Sequence, residues 1–195
     1  MQLQTHTKQL GILAGLALLM AVTRGSHFGS TSYLPDATLA VFLLAGFFLA
    51  GFSRLAMLVF GLLLLEAGGI DYYAINVAGV SDWCVTPAYW FLIPTYAVMW
   101  LGGSWFARQQ QKGWRSLLQF AGMSWLATSA AFLISNGSFY LLSGRYNDLG
   151  LGEYSASVAQ YYPPYLAGSL MYLALAAVAY VLLGTAHKAA GAAHG

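Results

Sequence analysis

No lysine, arginine, aspartate or glutamate occurs between Asp82 and Arg108, between Arg115 and Arg145, or between Glu153 and Lys188. Uncharged, apolar runs of this length fold as helices that bury every backbone N–H and C=O within themselves, which is what a lipid solvent demands. Charged residues make up 7% of the 195-residue chain and hydrophobic ones 59%, against about 25% charged in a typical globular domain. That is too little charge to coat a water-facing surface. Each crossing takes roughly 20 residues, so at most about seven or eight fit, with little left for a separate globular domain. A soluble enzyme with a membrane tail is excluded. The eight Lys and Arg are scattered singly, so the net charge of +2 makes no nucleic-acid patch.

Charges, glycines and prolines divide the chain into six expected helices: Gln9 to Thr23, Ala37 to Ser53, Leu55 to Gly69, Pro87 to Ala107, Ser116 to Ser135 and Tyr165 to Ala186. The expected fold is an all-α integral membrane protein, a six-transmembrane-helix bundle over residues 1–186 with a flexible tail over 187–195. Lys8 before a short apolar run has the shape of a cleaved signal peptide, yet the segment is expected to stay as the first span. Lys8, Arg54, Arg108, Lys112, Arg115 and Lys188 fall on the face that carries both termini, and only Arg24 and Arg145 on the other. The positive-inside rule makes the first face cytoplasmic. Asp36, Asp71, Asp82, Asp148 and Glu153 then lie outside, and Glu66 alone within a helix. The outer connections, Arg24 to Asp36, Ile70 to Thr86 and Asn136 to Pro164, are the long ones, which is where a binding function belongs.

The expected helices carry no histidine, since His6, His27, His187 and His194 lie in a loop or near the termini, so axial pairs for a haem are missing. With Glu66 as their one ionisable group, a relay of charges for proton pumping is missing too. Gly11, Gly15, Ala17 and Ala21 put small residues at helical spacing on the first helix, a surface that serves equally for packing inside the bundle or against a partner.

The segment IDYYAINVAGVSDWCVTPAYW, residues 70–90, carries the lone cysteine, Cys84. Thr86 followed by Pro87 reads as an N-cap and first helical position, which puts Cys84 just before a helix start. A lone cysteine in an apolar chain is usually a small buried hydrophobe. In an outward loop among Trp83, Tyr89 and Trp90, its soft sulfur also suits one axial bond to a metal caged by another scaffold. Asp71 opens the same loop. Tyr33, Tyr72, Tyr73, Trp83, Tyr140, Tyr146, Tyr161 and Tyr162 are candidate walls of a binding site, and equally residues of an interfacial aromatic belt.

The six-helix count, the small-residue face and above all the stretch DYYAINVAGVSDWCVTPAY, with Asp71, Cys84 and Tyr89, resemble the BtuM family, the solitary vitamin B12 (cobalamin) S components of energy-coupling-factor (ECF) type. The resemblance covers nearly the whole chain. It implies cobalamin uptake across a bacterial inner membrane, with the corrinoid in a cavity open to the periplasm, Cys84 as axial ligand to cobalt, and Asp71 and Tyr89 beside it. It further implies decyanation of cyanocobalamin at Cys84. An ECF transmembrane subunit and its ATPases, met through Gly11, Gly15, Ala17 and Ala21, would be the partners, although solitary members can act without them. Two readings stand beside this one: an S component for another vitamin with Cys84 structural, and a membrane thiol enzyme with Cys84 as nucleophile and Asp71, Asp82 or His27 as base.

Overall fold

The computed structural model describes residues 2–25, 34–50, 53–109 and 113–192. The elements are α1 (Gln2–Arg24), α2 (Thr38–Leu49), α3 (Arg54–Asn76), a 3-10 turn over Pro87–Phe91, α4 (Leu92–Gln109), α5 (Trp114–Leu142), α6 (Leu151–Ala159) and α7 (Tyr162–Ala192). Among the described residues the protein is all-helical. Helices α3, α5 and the Tyr162–Leu182 part of α7 are long and apolar enough to cross a membrane, while α2 and the Gln9–Arg24 part of α1 are apolar but shorter. Leu62, Leu65, Leu133, Leu141 and Leu175 face outward, a surface that suits lipid and would drive association in water.

Each expected helix has a counterpart, but several ends differ for identifiable reasons. Helix α2 stops at Leu49 rather than Ser53, because Ser53 instead caps α3, its hydroxyl accepting from the Ala56 N–H at 3.2 Å. Helix α3 runs through the Gly68–Gly69 pair to Asn76, so Asp71 belongs to the helix and not to the following loop. Helix α5 continues past Ser135 to Leu142. Asn136 Nδ2 donates to the Phe132 carbonyl and Ser138 Oγ to that of Ser135, so these polar side chains bond back onto the helix instead of ending it. Helix α7 extends beyond the expected end at Ala186 to Ala192. Helix α6 was not expected; it starts where the Glu153 carboxylate accepts from the Gly150 N–H at 3.1 Å.

Helix α2 is the centre of the packing. Its 12 residues span about 18 Å, well short of a bilayer core of roughly 30 Å, and Thr38 and Ala40 through Gly46 are all buried. Phe42 stacks on Tyr96 of α4 with ring centroids 4.5 Å apart and meets Phe60 of α3 edge-on at 5.5 Å. Small residues bring α2 and α4 together: a Cβ on Gly46 would collide with the Trp100 carbonyl, and one on Gly103 with that of Leu43. Ser104 Oγ donates to the Gly46 carbonyl at 2.9 Å across the same contact. Gly103→Val is therefore expected to destabilise the protein by about 1–3 kcal/mol through overpacking, read as a lower melting temperature in detergent. Gly61→Ala, where nothing lies within 4 Å, serves as the control that should melt as wild type.

Candidate functional site

The end of α1, the start of α2, the C-terminal part of α3 and the beginning of α4 converge with α5 and α7 on one cavity of about 640 Å³. Its floor is an ionic knot. Arg24, the last residue of α1, is 2% exposed and forks onto Asp71, with Nε to Oδ1 at 2.7 Å and Nη2 to Oδ2 at 2.6 Å. Nη1 donates to Thr38 Oγ1 at 3.1 Å and to the Tyr96 hydroxyl at 2.9 Å, and Nε also reaches the Ala67 carbonyl at 3.1 Å. Asp36 stands 3.9 Å away as a second carboxylate. The Tyr89 hydroxyl completes the set by donating to Asp71 Oδ2 at 2.7 Å. A buried charge pair persists only when its remaining hydrogen-bonding positions are filled in this way.

The loop after α3 delivers the cysteine to the mouth of the same cavity. Gly79 takes a positive φ of 71°, a turn conformation that suits glycine, and the Val80 N–H returns to the Ala74 carbonyl at 3.0 Å. A tight turn follows, closed by the Val85 N–H on the Asp82 carbonyl at 2.7 Å, with Cys84 inside it. Thr86 is the expected N-cap: its hydroxyl accepts from the Ala88 N–H at 3.3 Å and Pro87 opens the 3-10 turn that leads into α4. Cys84 is exposed and lines the cavity. Enclosure by the cavity pushes its thiol pKa up, Arg145 opposes that shift, and the Asp71 carboxylate adds to it.

The structure thus brings Asp71, Cys84 and Tyr89 to one cavity, with Asp71 in a helix rather than in the loop. Among the described residues the expected aromatic walls do not fall there. Tyr72, Tyr73 and Tyr161 are exposed away from the cavity, Tyr140 and Tyr146 pack with Tyr154 beneath α6, Trp83 pairs with Arg145, and Tyr162 bonds Ser129. The walls are instead Leu34, Leu39, Leu92, Phe139 and Tyr165. His27, Tyr33, Lys112 and His194 lie outside the described residues. The small residues of α1 divide: Gly11, Gly15 and Ala21 are exposed, with nothing within 4 Å of a Cβ on either glycine, while Ala17 packs against the core.

Sequence reasoning missed Arg24, which it counted only as a topological charge, together with Thr38 and Tyr96. The available signal was an arginine ending a short apolar helix on the face nearly devoid of positive residues. A carboxylate engaged by an arginine and a phenol is not a free base, and the Cys84 sulfur accepts no hydrogen bond from, and donates none to, any described residue. Asp71 is therefore not available to Cys84 as the base that a thiol nucleophile needs. No group of three or more His, Cys, Asp or Glu among the described residues could enclose a bare metal ion. No family model matches the chain, and no curated protein matches it.

Proposed function

We propose that the chain is a cobalamin uptake protein of the bacterial inner membrane, a six-span bundle with both termini cytoplasmic and its cavity open to the periplasm. The observation that carries this reading is the lone thiol at the rim of an apolar cavity whose floor holds Asp71 and Tyr89. A corrin already supplies the equatorial ligands of its cobalt, so one soft axial donor is all the protein must add. Cys84 is that donor. About 640 Å³ accommodates part of so broad a ligand, with the rest of it in the open mouth. Leu34, Leu39, Leu92 and Phe139 offer apolar contact to the ring, and Tyr89, whose own proton goes to Asp71, offers its oxygen to an amide edge. The exposed Gly11–Gly15 face of α1 is the surface on which an ECF transmembrane subunit would sit. Decyanation of cyanocobalamin is a secondary activity in this reading: a cobalt–sulfur bond to Cys84 forms as the cobalt–cyanide bond breaks, the oxidation state of cobalt is unchanged, and the cyanide leaves as HCN with the thiol proton; Cys84→Ser should keep the fold and lose the spectral change that accompanies cyanide departure.

The test is a visible spectrum of purified protein with cyanocobalamin, wild type beside Cys84→Ala. A shifted cobalt spectrum in wild type that the variant lacks is the expected result. Identical shifts in both would remove sulfur ligation, and no binding by either would remove the corrinoid.

A further inference from the structure

We infer that the wall of the cavity formed by α5 and α7 is a carboxamide-binding subsite, a role that rests on the corrinoid reading and deepens it. The Tyr165 hydroxyl is the donor and Asn136 Oδ1 the acceptor for one neutral amide of the ligand, of which a corrin carries several on its edge. Both side chains line the cavity, and both keep hydrogen-bonding positions that the fold leaves open.

Most hydroxyls that line the cavity are already engaged. Thr38 donates to Asp36 and accepts from Arg24, Thr95 donates to the Phe91 carbonyl at 2.7 Å, Tyr89 donates to Asp71, and Tyr96 accepts from Arg24. The wall is different. Neither the Tyr165 hydroxyl nor that of Ser135, the neighbour of Asn136, bonds any described residue. Asn136 spends Nδ2 on the Phe132 carbonyl at 3.0 Å, which leaves Oδ1 open. A half-buried phenol without a partner is uncommon inside a fold, because its hydroxyl gives up water and gains nothing in return. A ligand supplies the missing partner.

The wall is set in place by the protein itself. The Tyr165 ring meets Phe132 edge-on with centroids 5.2 Å apart, and Asn136 lies one turn beyond Phe132 on α5. Further along α7, a Cβ on Gly168 would stand 3.2 Å from Pro35, and the Tyr172 hydroxyl donates to the Pro35 carbonyl at 2.7 Å. These contacts tie α7 to the chain entering α2. Charge then decides what kind of group fits. Arg24 is the one cation among the described lining residues, and it is paired with Asp71 and Asp36. A carboxylate or phosphate would meet those two acidic side chains and the Asn136 oxygen with no free cation to offset them. A primary amide both accepts and donates, which matches a phenol O–H and an amide oxygen on one wall.

The full chain in detergent is titrated with cyanocobalamin and with its monocarboxylic acids, in each of which one edge amide is a carboxylate, wild type beside Tyr165→Phe. Wild type should bind at least one of the acids about tenfold more weakly than the parent, and Tyr165→Phe should bind the parent about tenfold more weakly than wild type does. The two losses should not add, so the variant discriminates less between amide and acid. At saturation the variant should keep the cobalt spectral shift of sulfur ligation. Without ligand it should melt as wild type, because the hydroxyl holds nothing within the protein. Unchanged affinity in Tyr165→Phe, acids bound as well as the parent, discrimination undiminished in the variant, or a lower melting temperature each overturns the subsite and leaves the Cys84 reading standing. No corrinoid bound by wild type overturns both.

Discussion

Arg24→Met is expected to cost about 3–5 kcal/mol of stability, the usual penalty for removing one partner of a buried ion pair. It strands the Asp71 carboxylate, 3% exposed, without its counter-ion, and frees the acceptors on Thr38 and Tyr96 that Arg24 had filled. Thermal unfolding in detergent should show a large drop in melting temperature. Replacing both members, Arg24→Met with Asp71→Leu, removes the stranded charge, so most of the lost stability should return. Ligand binding should not return with it, because Tyr89 then has no carboxylate to orient its hydroxyl. A single variant that melts as wild type would show that the knot contributes nothing to the fold. A double variant that binds as wild type would show that it contributes nothing to the site.

Corrinoid affinity should rise with pH. The Cys84 thiol is pushed above its ordinary value of 9.0 by enclosure, with Arg145 only partly opposing, so at neutral pH the sulfur is protonated. Ligation uses the thiolate and therefore releases a proton. The sign follows directly: below the thiol pKa each unit of pH makes the reactive form about ten times more abundant, and affinity climbs about a hundredfold between pH 6 and pH 8 before levelling above the thiol pKa. Titration with cyanocobalamin at several pH values measures the slope. Cys84→Ala should bind weakly and without that slope. A flat profile in wild type means that the sulfur binds as the neutral thiol or does not touch cobalt.

The helical, lipid-suited character of the chain was legible because it depends on composition and on uncharged runs, which are local properties. The Cys84 loop was legible for the same reason, since Thr86 and Pro87 announce the helix start in two adjacent residues. Asp71 was identified but misplaced: Gly68 and Gly69 look like a terminator, yet a helix continues through glycines when a residue beyond them is held by a distant partner, here Arg24. The aromatic walls failed for a different reason. A tyrosine's identity says that it can line a cavity, but its direction depends on which helix packs behind it, and Tyr140, Tyr146 and Tyr154 turn toward one another instead. Helix α6 had a readable cue in Glu153 three residues after Gly150, hidden in a segment taken as loop.

The knot at the cavity floor also orders the events of folding. Arg24 meets partners 14, 47 and 72 residues further along the chain, so the floor has no stable precursor while the first helices stand alone. A nascent chain that has produced α1 to α3 holds Arg24 and Asp71 but neither Tyr89 nor Tyr96. Only the arrival of α4, brought against α2 by Gly46 and Gly103, closes the set. The cavity is thus completed only with the last part of this set, and a chain arrested before the 3-10 turn and α4 lacks Tyr89, Leu92, Thr95 and Tyr96 of its lining.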